Sequence, residues 1–243
     1  DAPVTIEFWH AMSGDRIDLI QGIVDDFMEE NPNITVNVQY SGSYNETLNK
    51  VVSAHRAGNA PSVFHLYEIG TLGMIKSGMI VAVDELAEKY EEPIDWDEFF
   101  VPVHNYYKYQ GQHYSMPFNS STPLVYINKT FFERAGLDPE DPPKTYSDIR
   151  KAAIALKKSG IDSPITWNLN NWYFEQMHYL QDAPFVNNSN GRGVDLPTEA
   201  VFNREAGIIS LQWWLICIKM ASSWTLVLVG QITEQLLVLA KLQ

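Results

Sequence analysis

The chain has little cysteine and little positive charge. The first shortage excludes an internal disulfide, and the second argues against a nucleic-acid partner. Cys217 is the single cysteine among 243 residues, so no disulfide can form within the chain. Lysine and arginine together number 17 against 30 aspartates and glutamates, which gives a net charge of −13. Proteins that bind nucleic acid usually present a basic face, so this balance argues against a nucleic-acid partner.

Sequence motifs for catalysis, nucleotide binding and metal binding are also missing. Neither a Walker A sequence, nor Gly-x-Ser-x-Gly, nor Gly-x-Gly-x-x-Gly occurs. The six histidines do not show the spacing of zinc ligands. We therefore expect no metal site, no cofactor and no catalytic residues, which favours a binding protein over an enzyme.

The first part of the chain alternates between strand and helix patterns. Apolar and polar residues alternate over residues 4–9 and 34–40, and residues 62–66 form a short apolar run. Residues 15–31 and 44–57 instead repeat their apolar positions at helical spacing. This order predicts an α/β unit with a largely parallel sheet.

Further along, the pattern predicts two short helices, over residues 69–78 and 83–90, followed by a loop over residues 91–101. Gln110-Gly111 indicates the turn of a hairpin. A hydroxyl-rich turn, residues 119–122, then leads into an apolar stretch that we predict to be a strand, residues 124–127. Helices are expected near residues 130–135 and 147–159.

Several ordered segments resemble one protein family. They include Phe8-Trp9-His10, the stretch from Tyr67 to Thr71, and the block over residues 117–145. Together they are similar to family 1 extracellular solute-binding proteins, and within that family to the glycerol-3-phosphate-binding components of ABC importers. The resemblance implies an α/β, two-lobed periplasmic-binding-protein-like fold of type II, like maltose-binding protein, here truncated at the C-terminus.

In that plan the ligand lies outside the carboxyl ends of the strands and a hinge closes over it. The resemblance implies a first lobe over residues 1–115, a hinge crossover over residues 116–122, and the start of a second lobe over residues 123–213. Residues 214–243 show no resemblance to the family.

The composition changes abruptly near Trp213. The first 213 residues hold 29 of the 30 acidic residues, whereas the last 30 hold only Glu234 and 19 hydrophobic residues. Reading from the third base of the Trp213 codon allows Val-Ala-Asp-Met-Tyr-Lys-Asp-Gly, which would continue an amphipathic helix and end it at glycine. We therefore predict that one lost G shifted the reading frame; the alternative is a genuine apolar segment.

The expected function is capture of sn-glycerol-3-phosphate or a glycerophosphodiester outside the cytoplasm, in the periplasm. Its expected partners are the small ligand and an ABC permease in the membrane, and the chain is expected to be a monomer. The alternative ligand is an oligosaccharide, since tryptophan and glutamate also suit sugars. A carbohydrate-active hydrolase is the competing class.

Three expected ligand-binding residues lie at the ends of predicted strands or in the polar turn. Tyr44 brings a phenol that can reach a ligand oxygen, and the Glu68 carboxylate can accept two hydroxyl hydrogen bonds from a diol. Ser121 can help to hold a phosphate, together with successive backbone N–H groups. The resemblance places ligand-contacting residues at these three positions.

Two tryptophans are expected to form an aromatic wall against the ligand. Trp167 and Trp172 lie among asparagines, a poor pattern for an apolar core, and the family has two ligand-stacking tryptophans in this part of the chain. His10, at the end of the first predicted strand, could donate to a ligand or fill a structural position. Both interpretations of His10 stay open at this point.

Overall fold

A computed structural model describes residues 2–166, 170–193 and 195–220. The chain divides into two compact units, Asp1–Ser121 and Thr122–Gln243. Each unit is described by itself. The predicted lobe and hinge boundaries remain predictions.

The first unit is built on a three-stranded parallel sheet with β1 (Val4–His10) in the centre. β2 (Ile34–Tyr40) pairs with β1 from Val4 to His10, and β3 (Val63–Phe64) lies on its other side. Parallel strands need crossover connections, which the helices between the strands supply. The predicted α/β unit with a parallel sheet is confirmed.

The first crossover helix, α1 (Arg16–Glu30), covers one face of the sheet. Ile20 and Val24 lie one turn apart on this helix and pack against Val36 of β2, so all three side chains are buried. The helical spacing of apolar residues in the sequence is what places them on one face.

The second crossover helix, α2 (Tyr44–Arg56), begins with a capping box. Ser43 Oγ accepts a hydrogen bond from the Glu46 backbone N–H, and the Glu46 carboxylate accepts one from the Ser43 N–H at 2.7 Å. The hydrogen bond from the Ser43 backbone N–H is the largest cause that lowers the pKa of Glu46, and a hydrogen bond with the Ser43 side chain lowers this pKa further. A carboxylate therefore already occupies the N-terminus of α2.

The rest of the first unit is mostly short helices. A 3₁₀ turn (Glu68–Gly70) leads into α3 (Thr71–Ser77), and α4 (Val83–Tyr90) has the predicted bounds. A second 3₁₀ turn (Trp96–Glu98) interrupts the predicted loop. The helix that follows, α5 (Val101–Tyr106), was not predicted.

The predicted hairpin is confirmed, although its strands are short. β4 (Lys108–Tyr109) and β5 (Gln112–His113) pair antiparallel. The two turn residues have positive φ, 49° at Gln110 and 87° at Gly111, which is the geometry of the tight turns that favour glycine.

The strand predicted over residues 124–127 is wrong. Residues 116–128 are neither helix nor strand, and Leu124 and Tyr126 are 70% and 90% exposed. A strand needs a neighbour for its backbone N–H and C=O groups, and no residue in the described part of the chain pairs with this segment.

In the second unit, α6 (Lys129–Arg134) packs against α7 (Tyr146–Lys158). Phe132 is buried against Ala152 and Leu156. Each helix begins one residue earlier than the sequence predicted, and each has a polar cap: Asn128 Oδ1 accepts from the Phe131 N–H, and Thr145 Oγ1 accepts from the Asp148 N–H.

A second apolar cluster forms where α8 (Asn171–Tyr179) meets α9 (Glu205–Met220). Met177, Trp213, Trp214 and Cys217 are its buried members. Burial raises the pKa of the Cys217 thiol to about 12, so this cysteine behaves as an apolar side chain. Between these helices lies one turn (Asn187–Asn190), in which three residues have positive φ.

α9 continues through Trp213 and Trp214 without a break and buries Trp214 and Cys217 beyond the predicted frame shift. Residues 221–243 lie outside the described residues. The frame shift stays a prediction, and sequencing across the Trp213 and Trp214 codons tests it: an intact TGG-TGG with no extra G would refute it. Among the described helices, none is long and apolar enough to cross a membrane.

Candidate functional site

Two predicted site residues follow strands of the same parallel sheet. Tyr44 is the first residue of α2, just after β2, and Glu68 opens the 3₁₀ turn that follows β3. Parallel strands direct their carboxyl ends to one edge of a sheet, and ligands of open α/β sheets bind beyond that edge. The fold therefore places Tyr44 and Glu68 at this edge of the sheet, and their ligand contacts stay predictions.

A hydrogen-bonded chain of polar side chains backs the Tyr44 phenol. His65 Nε2 lies 2.8 Å from Asn119 Oδ1, and Asn119 Nδ2 donates to Tyr44 Oη at 3.3 Å. The His65 ring also contacts the Tyr44 ring edge to face, with centroids 5.0 Å apart. The phenol is thus positioned by contacts to its oxygen and to its ring.

The aromatic surface extends to Tyr67. Its ring stacks on that of Tyr44, with centroids 5.6 Å apart and planes inclined by 19°, and its hydroxyl donates to Asn45 Oδ1 at 2.6 Å. Both rings are half-buried. A stacked pair of this kind offers a flat apolar face beside polar groups, which suits a polyol or a sugar.

Glu68 and Tyr44 share their surroundings with Tyr107. Burial raises the pKa of the Tyr107 phenol, and the charge of Glu68, followed by those of Tyr106 and Tyr44, raises it further. Tyr107 therefore stays protonated at neutral pH and can donate a hydrogen bond. None of the described residues donates a hydrogen bond to the Glu68 carboxylate, which remains able to accept from a ligand hydroxyl.

Ser121 is exposed at the end of the first unit, in the irregular segment that follows Phe118 and Asn119. Phe118 anchors this segment, since its ring contacts those of His65 and Phe8 edge to face. The segment is therefore fixed to the sheet two residues before Ser120. A ligand contact of Ser121 remains a prediction.

Trp172 is the second residue of α8 in the second unit. Its indole is half-buried and meets the Tyr173 ring edge to face at 5.1 Å. Tyr173 and Phe174 pack against the apolar cluster of Met177, whereas Trp172 is not part of it. Trp167 lies outside the described residues, so its predicted ligand contact stays a prediction.

His10 is fully buried, with no exposed surface. Its ring lies between those of Phe8 and Tyr40, 5.9 Å from each, and its Nδ1 accepts from the Met12 N–H. Burial lowers the pKa of His10, and burial also lowers the pKa of His65, with the charge of His10 as a further cause. A direct ligand contact of His10 is thereby excluded in this structure, which favours the structural interpretation.

No group of three or more histidine, cysteine, aspartate or glutamate side chains in residues 2–166, 170–193 and 195–220 is arranged to hold a metal ion. The site's chemistry is that of hydroxyls, one carboxylate and aromatic rings. Such a set can hold the hydroxyl-rich part of a ligand by hydrogen bonds and stacking.

Sequence reasoning missed four members of this group: His65, Tyr67, Tyr107 and Asn119. Asn119 was noted only as part of a polar turn, and its proximity to Tyr44 depends on contacts across 75 residues of chain. His65 and Tyr67 flank Leu66 after β3, and this position beside Glu68 was a usable signal.

Periplasmic binding proteins have a parallel sheet of this kind, with polar and aromatic side chains for ligand binding at its carboxyl edge. The family model of the bacterial extracellular solute-binding proteins matches residues 13–214, so the chain belongs to this family. Members of the family bind small solutes and work with ABC permeases, outside the cytoplasm, and are not enzymes. The resemblance predicted from sequence is confirmed.

Within the family, the chain is 36% identical over 193 residues to the sn-glycerol-3-phosphate-binding periplasmic protein UgpB of Escherichia coli K12. The match covers 78% of this chain and 44% of that protein. A relative of the same name from Shigella dysenteriae is 36% identical over 196 residues. The chain thus spans less than half the length of the curated relatives it matches.

Solved structures show the same fold. UgpB from Mycobacterium tuberculosis in complex with glycerophosphocholine matches with a TM-score of 0.71 at 22% identity, over 90% of this chain and 55% of that one. A Listeria monocytogenes ABC substrate-binding protein in complex with cycloalternan gives 0.68 at 21%, over 88% and 52%. The sugar-binding protein MalE of Xanthomonas citri gives 0.66 at 20%, over 87% and 51%. The predicted α/β fold like that of maltose-binding protein is confirmed.

Proposed function

We propose that this chain captures sn-glycerol-3-phosphate or a glycerophosphodiester in the periplasm, as a monomer, for transfer to an ABC permease. One observation carries the proposal. A phenol, Tyr44, and an unpaired carboxylate, Glu68, lie at one edge of the sheet in a chain 36% identical to a glycerol-3-phosphate-binding protein.

Each group then has a chemical role. The Glu68 carboxylate accepts hydrogen bonds from glycerol hydroxyls, and it repels phosphate, so the phosphate end must lie away from it. The Glu46 carboxylate occupies the N-terminus of α2, which removes that helix end as an anion site. Tyr44 and the hydroxyl of Ser121 then donate to the phosphate, and Trp172 packs on the glycerol carbons.

A second candidate ligand is an oligosaccharide, favoured by the stacked rings of Tyr44 and Tyr67. Aromatic faces of this size pack well on the C–H face of a sugar ring. Neighbours of the same fold were solved with sugars, among them the protein in complex with cycloalternan. The same residues would then contact sugar hydroxyls, and no phosphate would be required.

Calorimetry of the full-length gene product with sn-glycerol-3-phosphate, glycerophosphocholine and maltotriose separates the two ligands. The proposal expects saturable 1:1 binding of a phosphate compound, tighter than binding of the trisaccharide. Tighter maltotriose binding would replace the phosphate ligand by a sugar. Phosphorus NMR of the glycerophosphocholine sample reports any hydrolysis, and turnover would contradict a binding protein.

Two phenol deletions test the site itself. Tyr44→Phe should weaken ligand binding about tenfold, since it removes a hydrogen bond to an anionic oxygen. Tyr67→Phe is the matched control: it deletes the same atom from the stacked partner, whose hydroxyl already donates to Asn45. Equal losses in the two variants would contradict a ligand contact specific to Tyr44.

A further inference from the structure

We infer that His65 and Asn119 form a hydrogen-bond relay that turns the hydroxyl proton of Tyr44 outward, toward the ligand. The inference rests on the proposed function in one respect, namely that Tyr44 contacts the ligand. These two residues act through Tyr44 and are positioning residues. The direction of both hydrogen bonds follows from the orientation of the Asn119 amide, whose oxygen faces His65 and whose nitrogen faces Tyr44.

His10 lies beside the relay, next to His65 in the β1–β3 register. The Met12 backbone N–H donates to His10 Nδ1 at 3.2 Å, so Nδ1 carries no proton and Nε2 carries the ring proton. This Nε2 is buried and has no partner in the described part of the chain. His10 therefore presents a buried donor that lacks an acceptor.

Asn119 fixes which group donates and which accepts in the two hydrogen bonds of the relay. Its Oδ1 can only accept, so His65 Nε2, 2.8 Å away, must be the donor. Its Nδ2 can only donate, so Tyr44 Oη accepts at 3.3 Å. A phenol whose oxygen already accepts a hydrogen bond has its own proton free, and this proton is available to a ligand oxygen.

The same assignment leaves His65 Nδ1 as a buried acceptor, and this atom also has no partner among the described residues. His65 continues the β1–β3 register beside His10: the His65 N–H donates to the Trp9 carbonyl at 2.8 Å, and Trp9 lies opposite Phe64. A donor and an acceptor, both buried and both unmatched, therefore occupy adjacent positions.

The surroundings keep both rings neutral. Burial lowers the pKa of each histidine, and the rings that face them are Phe8 and Tyr40 around His10, and Tyr44 and Phe118 around His65. A charge on His10 would lower the pKa of His65 further. A second proton on His10 would put Nδ1–H against the Met12 N–H donor, which opposes charging this ring, and the neutral His65 keeps its single proton on the Nε2 that faces Asn119.

The first test measures the ring protons directly. Long-range ¹H–¹⁵N NMR of the uniformly labelled chain at neutral pH should show His10 and His65 each with a protonated Nε2 and an unprotonated Nδ1. This measurement needs no ligand, so it judges the relay even if the proposed ligand is wrong. A protonated Nδ1 on His65, or averaging between its two tautomers, would overturn the inference.

The second test reverses the last hydrogen bond. In Asn119→Asp both side-chain oxygens accept, so the Tyr44 proton turns inward. Asn45→Asp is the charge-matched control, because it adds the same charge next to Tyr44 but keeps the oxygen that accepts from Tyr67. Affinity for sn-glycerol-3-phosphate should fall about tenfold further in Asn119→Asp than in Asn45→Asp. Equal losses would refute the relay.

Failure of the proposed function gives a different result. If neither the unmodified protein nor its variants bind sn-glycerol-3-phosphate while the two histidines show the expected tautomers, the relay stands and the ligand assignment fails. If the unmodified protein binds tightly and His65 shows the other tautomer, the ligand assignment stands and the relay fails.

Discussion

The two units bury different kinds of side chain. Seven of the nine buried polar side chains among the described residues belong to the first unit, and four of these seven are histidines. The second unit instead buries large apolar groups, among them Phe132, Met177, Trp213 and Trp214. Buried polar groups are costly unless they are paired, so the unit that keeps them is where we place most of the binding chemistry.

A second comparison lies within the first unit, between its two pairs of neighbouring histidines. His104 and His113 are hydrogen-bonded at 3.0 Å, and His113 is further held by Asp84 and by the stacked ring of Trp96. His10 and His65 have no carboxylate partner and leave two ring nitrogens unmatched. Because Asp84 of α4 binds His113, the His104–His113 pair fixes the hairpin to α4. The His10–His65 pair has no carboxylate partner and is available for a role in ligand binding.

The largest effect is expected in the apolar unit. A Cβ at Gly207 would overlap the backbone carbonyl oxygen of Phe202, so Gly207→Ala should cost about 4 kcal/mol of unfolding free energy, at the upper end for a point mutation. Gly73→Ala in α3, where nothing lies within 4 Å, should instead stabilise by about 0.5 kcal/mol. Urea denaturation of both variants measures the difference; similar curves would show that α9 can shift away from Phe202.

The next largest effect is expected at Trp172 in the second unit. Its substitution distinguishes a tryptophan that contacts the ligand from one that belongs to the core. Trp172→Ala should weaken ligand binding by about 2–4 kcal/mol, the range for an aromatic anchor. Its melting temperature should barely change, since the indole is not part of the Met177 cluster.

The control for this prediction is Tyr179→Ala on the same helix, a residue that is 79% exposed. It should change neither affinity nor stability. A large fall in melting temperature of Trp172→Ala with unchanged affinity would show that the tryptophan belongs to the core.

Asp84 sharpens the comparison between the two histidine pairs. Its carboxylate accepts from the His113 N–H at 2.7 Å, from the His113 ring, and from the Trp96 indole N–H at 3.1 Å. Asp84→Ala would leave these donors without an acceptor and should cost about 2–3 kcal/mol of unfolding free energy. The neighbouring Glu85→Ala, on an exposed side chain, should stay within about 0.5 kcal/mol; equal costs would mean that the hydrogen bonds to Asp84 do not stabilise the hairpin.

The smallest effect is a pH dependence that differs between the pairs. The pKa values of His10 and His65 are lowered, so the unfolded chain binds protons first as the pH falls below about 6.5, and stability decreases from there. The slope is at most about 1.4 kcal/mol per pH unit for each histidine. Replacing His65→Gln should reduce this slope.

Asp84 responds in a lower pH window. Partial burial raises its pKa, but hydrogen bonds from the His113 backbone and ring outweigh this and hold the pKa below its ordinary value. Its stabilisation is therefore complete above about pH 4 and is lost as the pH falls through the lowered pKa. Denaturant midpoints from pH 7 to pH 3 measure both pH windows. If Asp84→Asn removed the pH dependence between about 6.5 and 4, that dependence could not be assigned to His10 and His65.

Much of the fold followed from local patterns. The bounds of α4 were predicted to the residue, and those of α6 and α7 to one residue, because caps and helical spacing are written in neighbouring positions. The strand over residues 124–127 failed for the opposite reason. Its apolar residues fit the composition of a strand, but a strand forms only when another segment of the chain pairs with it.

The candidate site divides in the same way. Tyr44 and Glu68 could be predicted because the family resemblance implies ligand contacts there and each follows a predicted strand. His65 and Asn119 could not, because the hydrogen bond that joins them spans 54 residues and leaves no periodic trace in the sequence. Their role appears only when the distance between the two side chains is known.

The sequence by itself determined the family, the α/β class, and the strand ends where the predicted ligand residues lie, since these depend on short-range patterns and on the order of segments. The tertiary structure alone decided that His10 is buried, that Trp172 stays outside the apolar cluster, and that Asn119 reaches Tyr44. Burial and hydrogen-bond direction depend on what surrounds a side chain in space, and chain order does not encode that locally.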